Sequence, residues 1–368
     1  MIRLTKPEIK GAIESLKEVL EDGYFVQGKR VGTLENMVAG YVGRSHAVAT
    51  SSGTSAIQCA IEALGLGVGD EVIVPDFTFP ACANAVLACG ARAVLADIDL
   101  ETFNINIDSI LDKIGPDTKA IMPVDLFGLA ADLESVSGIC EERGIPLAED
   151  SACALGASLG SRKCGSFGAV SMISFHPRKV VTTGEGGMVL TNDDDLADRL
   201  RMLRNHGMSV AHGRAEFSQP GYNMRMNELE ASIGIPQMAA LDVLVEKRRH
   251  IADLYAGLLG PVDEVRLPTE PEGSLHTYQS FVVLLDEKVD RDAVIASMKD
   301  KGVETTIGTY AIHAQPFYRN AYGYEPGDIP NSYYAFRQSL SLPIYPSLGE
   351  DEVREVAKRL KESLQSTA

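Results

Sequence analysis

From about residue 46 to residue 150, short apolar runs typical of strands alternate with longer segments that have helical periodicity. The strand-like runs are almost continuously apolar: HAVAT, EVIVP, ARAVLA, KAIMPV and IPLAE. Runs of this kind are typical of strands buried on both faces, as in a parallel sheet covered by helices. The alternation therefore predicts an α/β architecture with crossover helices, whose ligands bind beyond the carboxyl ends of the strands.

The chain has 368 residues, enough for about two domains. Two further strand-like runs, AVSMISF and GMVLTN, flank a loop that contains Lys179. From Met226 a long helical pattern continues until Gly260 and Pro261, and strand and helix signals then follow in α+β order. We predict a large domain over residues 1–247, with an N-terminal helix and a mostly parallel sheet, and a smaller α+β domain over residues 248–368.

Charge and cysteine content restrict the classes of partner. The chain has 51 acidic residues against 34 lysines and arginines, and its net charge of -17 opposes binding to nucleic acid or to an anionic membrane. The six cysteines include no CxxC pair, which indicates reduced thiols, and we expect no metal site. The first 20 residues have the pattern of an amphipathic charged helix rather than a cleavage signal, and no run has the length of a membrane span. We therefore expect a cytoplasmic protein.

Polar and aromatic residues follow the first two strands, where a parallel sheet binds ligands. Ser52, Gly53 and Thr54 open a helix, so this segment is either a phosphate site or an ordinary helix cap. Phe77 and Phe79 follow the second strand and are either a stacking wall for a flat ligand or core residues. Neither motif decides between its alternatives.

Charged residues follow the later strands. Asp150 ends a buried strand, where a carboxylate needs a partner such as a pyridinium nitrogen, a helix N-terminus or an ordinary cation. Lys179 follows AVSMISF by a short loop, and a lysine that attacks an aldehyde needs a poorly solvated position near other positive charge. A solvated surface lysine is the alternative. Ser174 is within reach of a phosphate, and the glycines of GEGG permit a close approach of the backbone.

Together these positions provide a phosphate cradle, an aromatic wall, an acid for a ring nitrogen and a lysine for an aldehyde, as a pyridoxal 5'-phosphate (PLP) site requires. The motifs SSGTSAI, PDFTFPACANAV, AEDSACALGA, SFHPRKVVTTGEGGMVLTND and GYNMRMNELEASIG resemble those of the DegT/StrS-type nucleotide-sugar aminotransferases, which are fold type I PLP enzymes. The resemblance extends from GYFVQGKRVGTLE at residues 23–35 to LSLPIYPSL at residues 340–348, and the lysine motif is its most specific part.

The resemblance implies a role for each position. Lys179 binds the cofactor as a Schiff base and moves a proton between cofactor and substrate. Asp150 keeps the pyridine nitrogen protonated, and Phe79 faces the ring. The phosphate is held by four residues, the last of them from a neighbouring subunit of a homodimer: Gly53, Thr54, Ser174 and Asn223.

One position departs from the family pattern. Cys153 stands where relatives usually have glutamine or histidine, near the hydroxyl side of the cofactor. A thiol is a poor hydrogen-bond donor, so Cys153 either alters the electronics of the cofactor or is a small apolar filler. Lys179 itself agrees with transamination, since sugar dehydratases of this fold have histidine in its place.

The resemblance also implies the substrates: an amino acid, usually glutamate, as amine donor and a nucleotide-linked keto sugar as acceptor. The GEGG form of the lysine motif favours a 4-keto-6-deoxyhexose over a 3-keto sugar or a cyclitol. Tyr310 and His313 are candidates for substrate contact, with a packing role as the alternative for His313. Arg225 binds either a substrate phosphate or carboxylate, or forms an ion pair at a helix start. The hypothesis from another class is a PLP-binding sensor protein without turnover.

Overall fold

The structure, a computed structural model, describes residues 1–211 and 213–367. Its helices, in chain order, are α1 Ala12–Asp22, α2 Lys29–Val42, α3 Gly53–Ala63, α4 Ala81–Ala88, α5 Ile107–Lys113, α6 Leu133–Arg143, α7 Asp194–Leu203, α8 Glu228–Met238, α9 Leu241–Leu259, α10 Arg291–Asp300, α11 Pro316–Tyr322, α12 Pro330–Gln338 and α13 Glu350–Thr367. Within the two described ranges, no helix is long and apolar enough to cross a membrane.

The strands of the same residues are β1 His46–Thr50, β2 Glu71–Pro75, β3 Phe77–Thr78, β4 Arg92–Ala96, β5 Thr118–Ile121, β6 Ala148–Asp150, β7 Ser158–Leu159, β8 Arg162–Lys163, β9 Val170–Ser174, β10 Gly187–Thr191, β11 Met208–Ala211, β12 Arg214–Phe217, β13 Val265–Arg266, β14 Ser274–Leu275, β15 Phe281–Leu285, β16 Thr306–Ile307, β17 Tyr310–Ala311 and β18 Ser339–Leu342.

The large sheet is mostly parallel, as predicted. Strands β4, β2 and β5 pair in parallel, and β6 pairs in parallel with β9. Parallel bridges from Ile121 to Leu147 and from Val124 to Asp150 join these two groups. Strand β10 lies between β1 and β9 and runs antiparallel to both. The loop that contains Lys179 connects β9 to β10, so both predicted flanking strands are confirmed.

Helices cover both faces of the large sheet, which explains the continuous apolar runs. Val72 and Val74 of β2 pack in one core cluster with residues of α3 and α4. Ile73, between them, packs in another cluster with Ile110 of α5 and Leu133 of α6. Because successive strand residues point to opposite faces, every position of such a strand must be apolar.

The C-terminal part forms a smaller α+β unit, as expected. Its antiparallel sheet has the strand order β13-β15-β18-β16, and α9, α10 and α13 pack with it. Helix α9 continues through residue 247, and along it the packing changes from the large-domain core at Val245 to the small-domain core at Ile251. The domain limit at residue 247 stays a prediction.

Two segments differ from the predicted pattern. The N-terminal helix begins at Ala12, because Gly11 has a left-handed backbone with φ of 88°. The preceding residues extend to the C-terminal unit instead, where Ile2 forms a parallel bridge with Val303. The long helical pattern from Met226 is divided into the two helices α8 and α9.

Candidate active site

Lys179 lies in a tight loop at the carboxyl end of β9. The backbone N–H of Lys179 donates to the carbonyl of His176 (2.9 Å), and that of Thr183 donates to the carbonyl of Phe175 (3.0 Å). Gly186 permits the turn, since its φ is 158° and a Cβ there would lie 2.3 Å from Oγ1 of Thr183. The loop therefore holds the lysine backbone in one defined position.

Two glutamine side chains that the sequence analysis missed stabilise this loop. Buried Gln237 of α8 accepts a hydrogen bond from the N–H of Thr182 (3.1 Å) and donates to the carbonyl of the same residue (2.7 Å). Gln279, also buried, donates to the carbonyl of Arg178 (2.6 Å). No local motif marks either glutamine, because their partners lie 55 and 101 positions away in the sequence.

The structure brings Asp150 and Lys179 to the same end of the sheet. Asp150 is 3% exposed, and its two oxygens accept hydrogen bonds from the N–H of Ala152 (3.0 Å) and the thiol of Cys82 (3.0 Å). Burial raises the pKa of Asp150, while these bonds and the charge of Lys179 act in the opposite direction. No cation of the described chain lies within 4.0 Å of its carboxylate. Since a buried carboxylate needs compensation, the position suits a cationic ligand group.

Cys153 is a direct neighbour of the lysine. Its Sγ lies 2.9 Å from Nζ of Lys179, and its side chain is partly buried. The contact contradicts the interpretation of Cys153 as an apolar filler, because sulfur here accepts a hydrogen bond from an amine.

Gly53, Thr54 and Ser174 form a cradle at the N-terminus of α3. Ser52 caps this helix by accepting the N–H of Ser55 (3.1 Å). Within the described chain, the N–H groups of Gly53 and Thr54 have no acceptor. A Cβ at Gly53 would lie 2.9 Å from Oγ of Ser174, so the serine hydroxyl is adjacent. With the positive end of the helix dipole, these donors suit a phosphate.

The two phenylalanines after β2 have different environments. Phe77 is fully buried in the core, whereas Phe79 is 63% exposed. The ring of Phe79 meets Tyr310 edge to face, with the ring centroids 6.4 Å apart. Tyr310 lies there because β17 pairs with β3, where Tyr310 is opposite Thr78. The exposed face of Phe79 is thus available for stacking, and Tyr310 borders it.

His313 does not reach this surface, and the expectation of substrate contact for His313 is wrong. Its side chain is fully buried, with Nδ1 at 2.6 Å from Oδ2 of Asp76. The backbone N–H of His313 also donates to Asp76 (2.6 Å), and the hydroxyl of Ser332 donates to the same carboxylate. An imidazole enclosed in this way packs the C-terminal segment against the large domain, which was the alternative interpretation.

Arg225 and Asn223 lie on the segment that passes beside β1. The guanidinium of Arg225 donates to Oδ1 of Asn205 (2.6 Å), so the ion pair considered for Arg225 does not form within the described chain. The side chain of Asn223 is exposed. The carbonyl of Met224, between them, accepts the N–H of Ser51 (2.8 Å) next to the cradle. The ligand contacts of Asn223 and Arg225 stay predictions.

Glu149, next to Asp150, belongs to a separate buried network. Its oxygens accept hydrogen bonds of 2.6 to 2.9 Å from the N–H groups of Gly165 and Phe167 and from two serine hydroxyls. Asp125 and Cys164 lie close enough to Glu149 for the three to ligate a metal ion. Because hydrogen bonds already occupy the Glu149 oxygens, we assign this cluster to the stability of the fold.

A mostly parallel sheet with a lysine loop and a buried acid at its carboxyl edge defines the fold type I PLP enzymes. Residues 7–361 match the DegT/DnrJ/EryC1/StrS aminotransferase family, and the chain belongs to this family. It is therefore a PLP-dependent aminotransferase.

Several relatives are similar over nearly the whole chain. GDP-perosamine synthase of Vibrio cholerae is 34% identical over 365 residues, which cover 98% of each protein. The crystal structure of the aminotransferase TlmJ from Streptoalloteichus hindustanus is 35% identical, with a TM-score of 0.93 over 100% of this chain and 99% of that chain. The structure of DesI in the presence of its TDP-sugar product is 31% identical, with a TM-score of 0.89 over 98% and 92%. These similarities confirm the predicted fold class and cofactor.

Two features of the site itself fit PLP. The carboxylate of Asp150 is buried and has no cation within 4.0 Å among the described residues, so it suits a protonated ring nitrogen. The N–H groups of Gly53 and Thr54, which have no acceptor among residues 1–211 and 213–367, lie beside the hydroxyl of Ser174 and suit a phosphate.

Proposed function

We propose that the protein transfers an amino group from an amino acid, with glutamate as the expected donor, to a nucleotide-linked 4-keto-6-deoxyhexose. The observation that carries this proposal is the position of Lys179 near the buried Asp150, whose carboxylate forms no ion pair within 4.0 Å in the part of the chain that the structure describes. Similarity to a GDP-perosamine synthase, and to a protein studied with its TDP-sugar product, supports a nucleotide-linked sugar as the acceptor.

Each residue of the site has a distinct task in this proposal. When bound, PLP supplies an electron-withdrawing ring that stabilises negative charge on the substrate carbon. Nζ of Lys179 binds the cofactor aldehyde and afterwards carries the proton to or from the substrate carbon. Oδ1 or Oδ2 of Asp150 holds the proton on the ring nitrogen. Phe79 orients the ring, and the N-terminus of α3 with Ser174 holds the phosphate.

Exposed apolar residues near the N-terminus support the proposed homodimer, in which Asn223 completes the phosphate site of the partner. Ile13 and Leu20 of α1 are 74% and 62% exposed, and Phe25 and Val26 are 46% and 59% exposed. Apolar side chains grouped in this way are typical of a surface that another protein covers. Sedimentation of the wild type should show a dimer, and Asn223→Ala should lower the affinity for PLP without changing the sedimentation. A monomeric wild type that binds PLP at full affinity would contradict the shared site.

The acceptor sugar is proposed from the lysine loop and the adjoining surface. The GEGG sequence of this loop supports amination at C4. Tyr310, which is 38% exposed beside Phe79, is the proposed contact for the sugar. Arg225 is the proposed contact for a phosphate or carboxylate of a substrate.

Trapping of the cofactor tests the assignment of Lys179. The protein is incubated with PLP, reduced with borohydride and digested for peptide mass spectrometry. We expect the cofactor mass on the peptide that contains Lys179 and its loss in Lys179→Ala. Lys163, which is also partly buried and whose amine lies 5.1 Å from the ring centre of Tyr41, provides the control variant Lys163→Ala. Label on another lysine of the wild type would refute the assignment.

A donor and acceptor panel tests the reaction. Glutamate should abolish the visible absorption of the holoenzyme, and a nucleotide-linked 4-keto-6-deoxyhexose should restore it. Restoration by 3-keto sugars or cyclitols alone would replace the C4 proposal with that alternative. A spectrum that no common amino acid changes would favour a PLP-binding sensor.

A further inference from the structure

The six thiols of the chain fall into two groups. In five of them desolvation by burial raises the pKa of the thiol above its ordinary value, to about 12 in Cys59, Cys89 and Cys140 and well above the ordinary value in Cys82 and Cys164. Cys153 differs from them in geometry: like Cys89 it is only partly buried, but its sulfur contacts the amine of Lys179. The fold therefore places one accessible thiol in the candidate active site.

The contact between Cys153 and Lys179 is specific to these two side chains. Sγ lies 2.9 Å from Nζ, and it is the only hydrogen-bond partner of this amine within residues 1–211 and 213–367. No carboxylate of those residues lies within 4.0 Å of Nζ, although Asp150 is near enough to interact with its charge. Cys153 reaches this position because it follows β6, the strand that ends at Asp150.

We propose that Cys153 is a positioning residue for Lys179, holding its amine toward the cofactor site without trapping the amine in its charged form. The inference rests on the proposed function of Lys179. A lysine side chain has several rotatable bonds, and fixing its rotamers before reaction removes an entropic cost. Sulfur is a weak acceptor, so it directs the N–H group while stabilising the ammonium little.

The nature of the acceptor is the decisive part of this proposal. A carboxylate at position 153 would stabilise the charged ammonium and keep the amine protonated to higher pH, where it is not a nucleophile. An alanine would leave the amine unrestrained, and a serine would keep a neutral acceptor. The variants Cys153→Asp, Cys153→Ala and Cys153→Ser therefore distinguish an effect on the orientation of the Lys179 amine from an effect on its charge.

The first experiment uses o-phthalaldehyde to detect the pair in the cofactor-free full chain. The two aldehyde groups of this reagent condense with one amine and one thiol, two water molecules leave, and a fluorescent isoindole forms with nitrogen and sulfur on the same ring. We expect fluorescence from the wild type, its loss in Cys153→Ala and in Lys179→Ala, and its retention in Cys89→Ser. Cys89 is a matched control, since it is also partly buried and its thiol contacts the backbone carbonyl of Gln58 instead. Absence of fluorescence from the wild type, or fluorescence that persists in Cys153→Ala, would overturn the proposal.

The second experiment measures the rate at which added PLP attaches to Lys179, by borohydride quenching and peptide mass spectrometry, as a function of pH. We expect attachment to be roughly tenfold slower in Cys153→Ala, because the amine loses its restraint, with little change in Cys153→Ser. In Cys153→Asp the pH midpoint of attachment should move upward, and in Cys153→Ala it should not.

The outcomes of the second experiment distinguish the positioning role of Cys153 from the proposed function of Lys179. Attachment of PLP to Lys179 at equal rates in all variants would overturn the positioning role and leave the proposed function intact. Attachment to a different lysine in the wild type would refute the proposed function, and with it the role given to Cys153.

Discussion

The buried pair of Asp76 and His313, which packs the C-terminal segment against the large domain, should make a large and pH-dependent contribution to the free energy of unfolding. Asp76 accepts two hydrogen bonds of 2.6 Å from His313 and one from the hydroxyl of Ser332, and all three residues are fully buried. Asp76→Asn keeps the shape of the side chain but replaces one acceptor oxygen with a donor group. Breaking a buried charged pair by changing one partner typically costs about 3–5 kcal/mol, so we expect a loss of about 3 kcal/mol in the free energy of unfolding.

The sign of the pH dependence follows from the histidine. Burial lowers the pKa of His313, but the hydrogen bond and the charge of Asp76 outweigh burial and raise it above the usual 6.5. A group whose pKa is raised on folding stabilises the protein fully below its unfolded pKa, and this contribution is lost as the pH rises through the folded pKa. The difference in unfolding free energy between the wild type and Asp76→Asn should therefore be largest near about pH 5.5 and smaller near about pH 9.

Urea unfolding at both pH values measures this difference. Ser332→Ala is the matched control, because it removes one neutral donor from the same carboxylate and should cost about 1 kcal/mol at either pH. The reasoning fails if Asp76→Asn costs no more than Ser332→Ala, or if its cost grows as the pH rises.

Three further changes test the surrounding structure. Glu228→Ala removes a buried carboxylate that accepts three backbone N–H bonds at the start of α2, and urea titration should show a loss of about 3 kcal/mol. Gly53→Ala places a Cβ 2.8 Å from Cβ of Ser174 and should weaken PLP binding at least about tenfold in an absorbance titration, whereas Gly32→Ala, in open space on α2, should not. Asp150→Asn should stabilise the cofactor-free chain by about 1 kcal/mol at neutral pH while weakening PLP binding. Because burial raises the pKa of Asp150, its folding penalty is absent at low pH and develops as the pH rises toward the folded pKa, so the stabilisation should disappear in acid.

The sequence predicted those parts of the fold and site that depend on local pattern. Continuous apolar runs indicated buried parallel strands, and the ends of those strands located Asp150 and Lys179. The burial of His313 could not be predicted in the same way, because its partner Asp76 lies 237 positions away. The start of α2 is equally nonlocal, since Glu228 accepts its N–H groups from about 200 positions further along the chain. Hydrophobic periodicity predicts which face of a helix or strand is buried, but it does not identify the distant residue that contacts that face.

Glu149 and Asp150 are adjacent at the end of β6 but have different roles: Glu149 stabilises the fold, and Asp150 faces the proposed cofactor site. Successive strand residues point to opposite faces, so two adjacent acids enter different environments. Glu149 accepts two backbone N–H bonds of 2.6 and 2.8 Å, has two serine hydroxyls at 2.7 and 2.9 Å and also experiences the charge of Arg44, so groups of the fold compensate its burial. Asp150 has one backbone N–H and one weak thiol donor, and no cation of residues 1–211 and 213–367 lies within 4.0 Å of it.

The difference in the partners that compensate these two buried carboxylates has a thermodynamic consequence. An undercompensated buried acid lowers the stability of the cofactor-free protein, and a ligand that supplies the missing positive charge recovers that free energy as binding affinity. PLP should therefore stabilise the wild type against unfolding more than it stabilises Asp150→Asn, even at cofactor concentrations that saturate both. Changing Glu149 should instead lower stability to the same extent with and without PLP, because its partners belong to the fold.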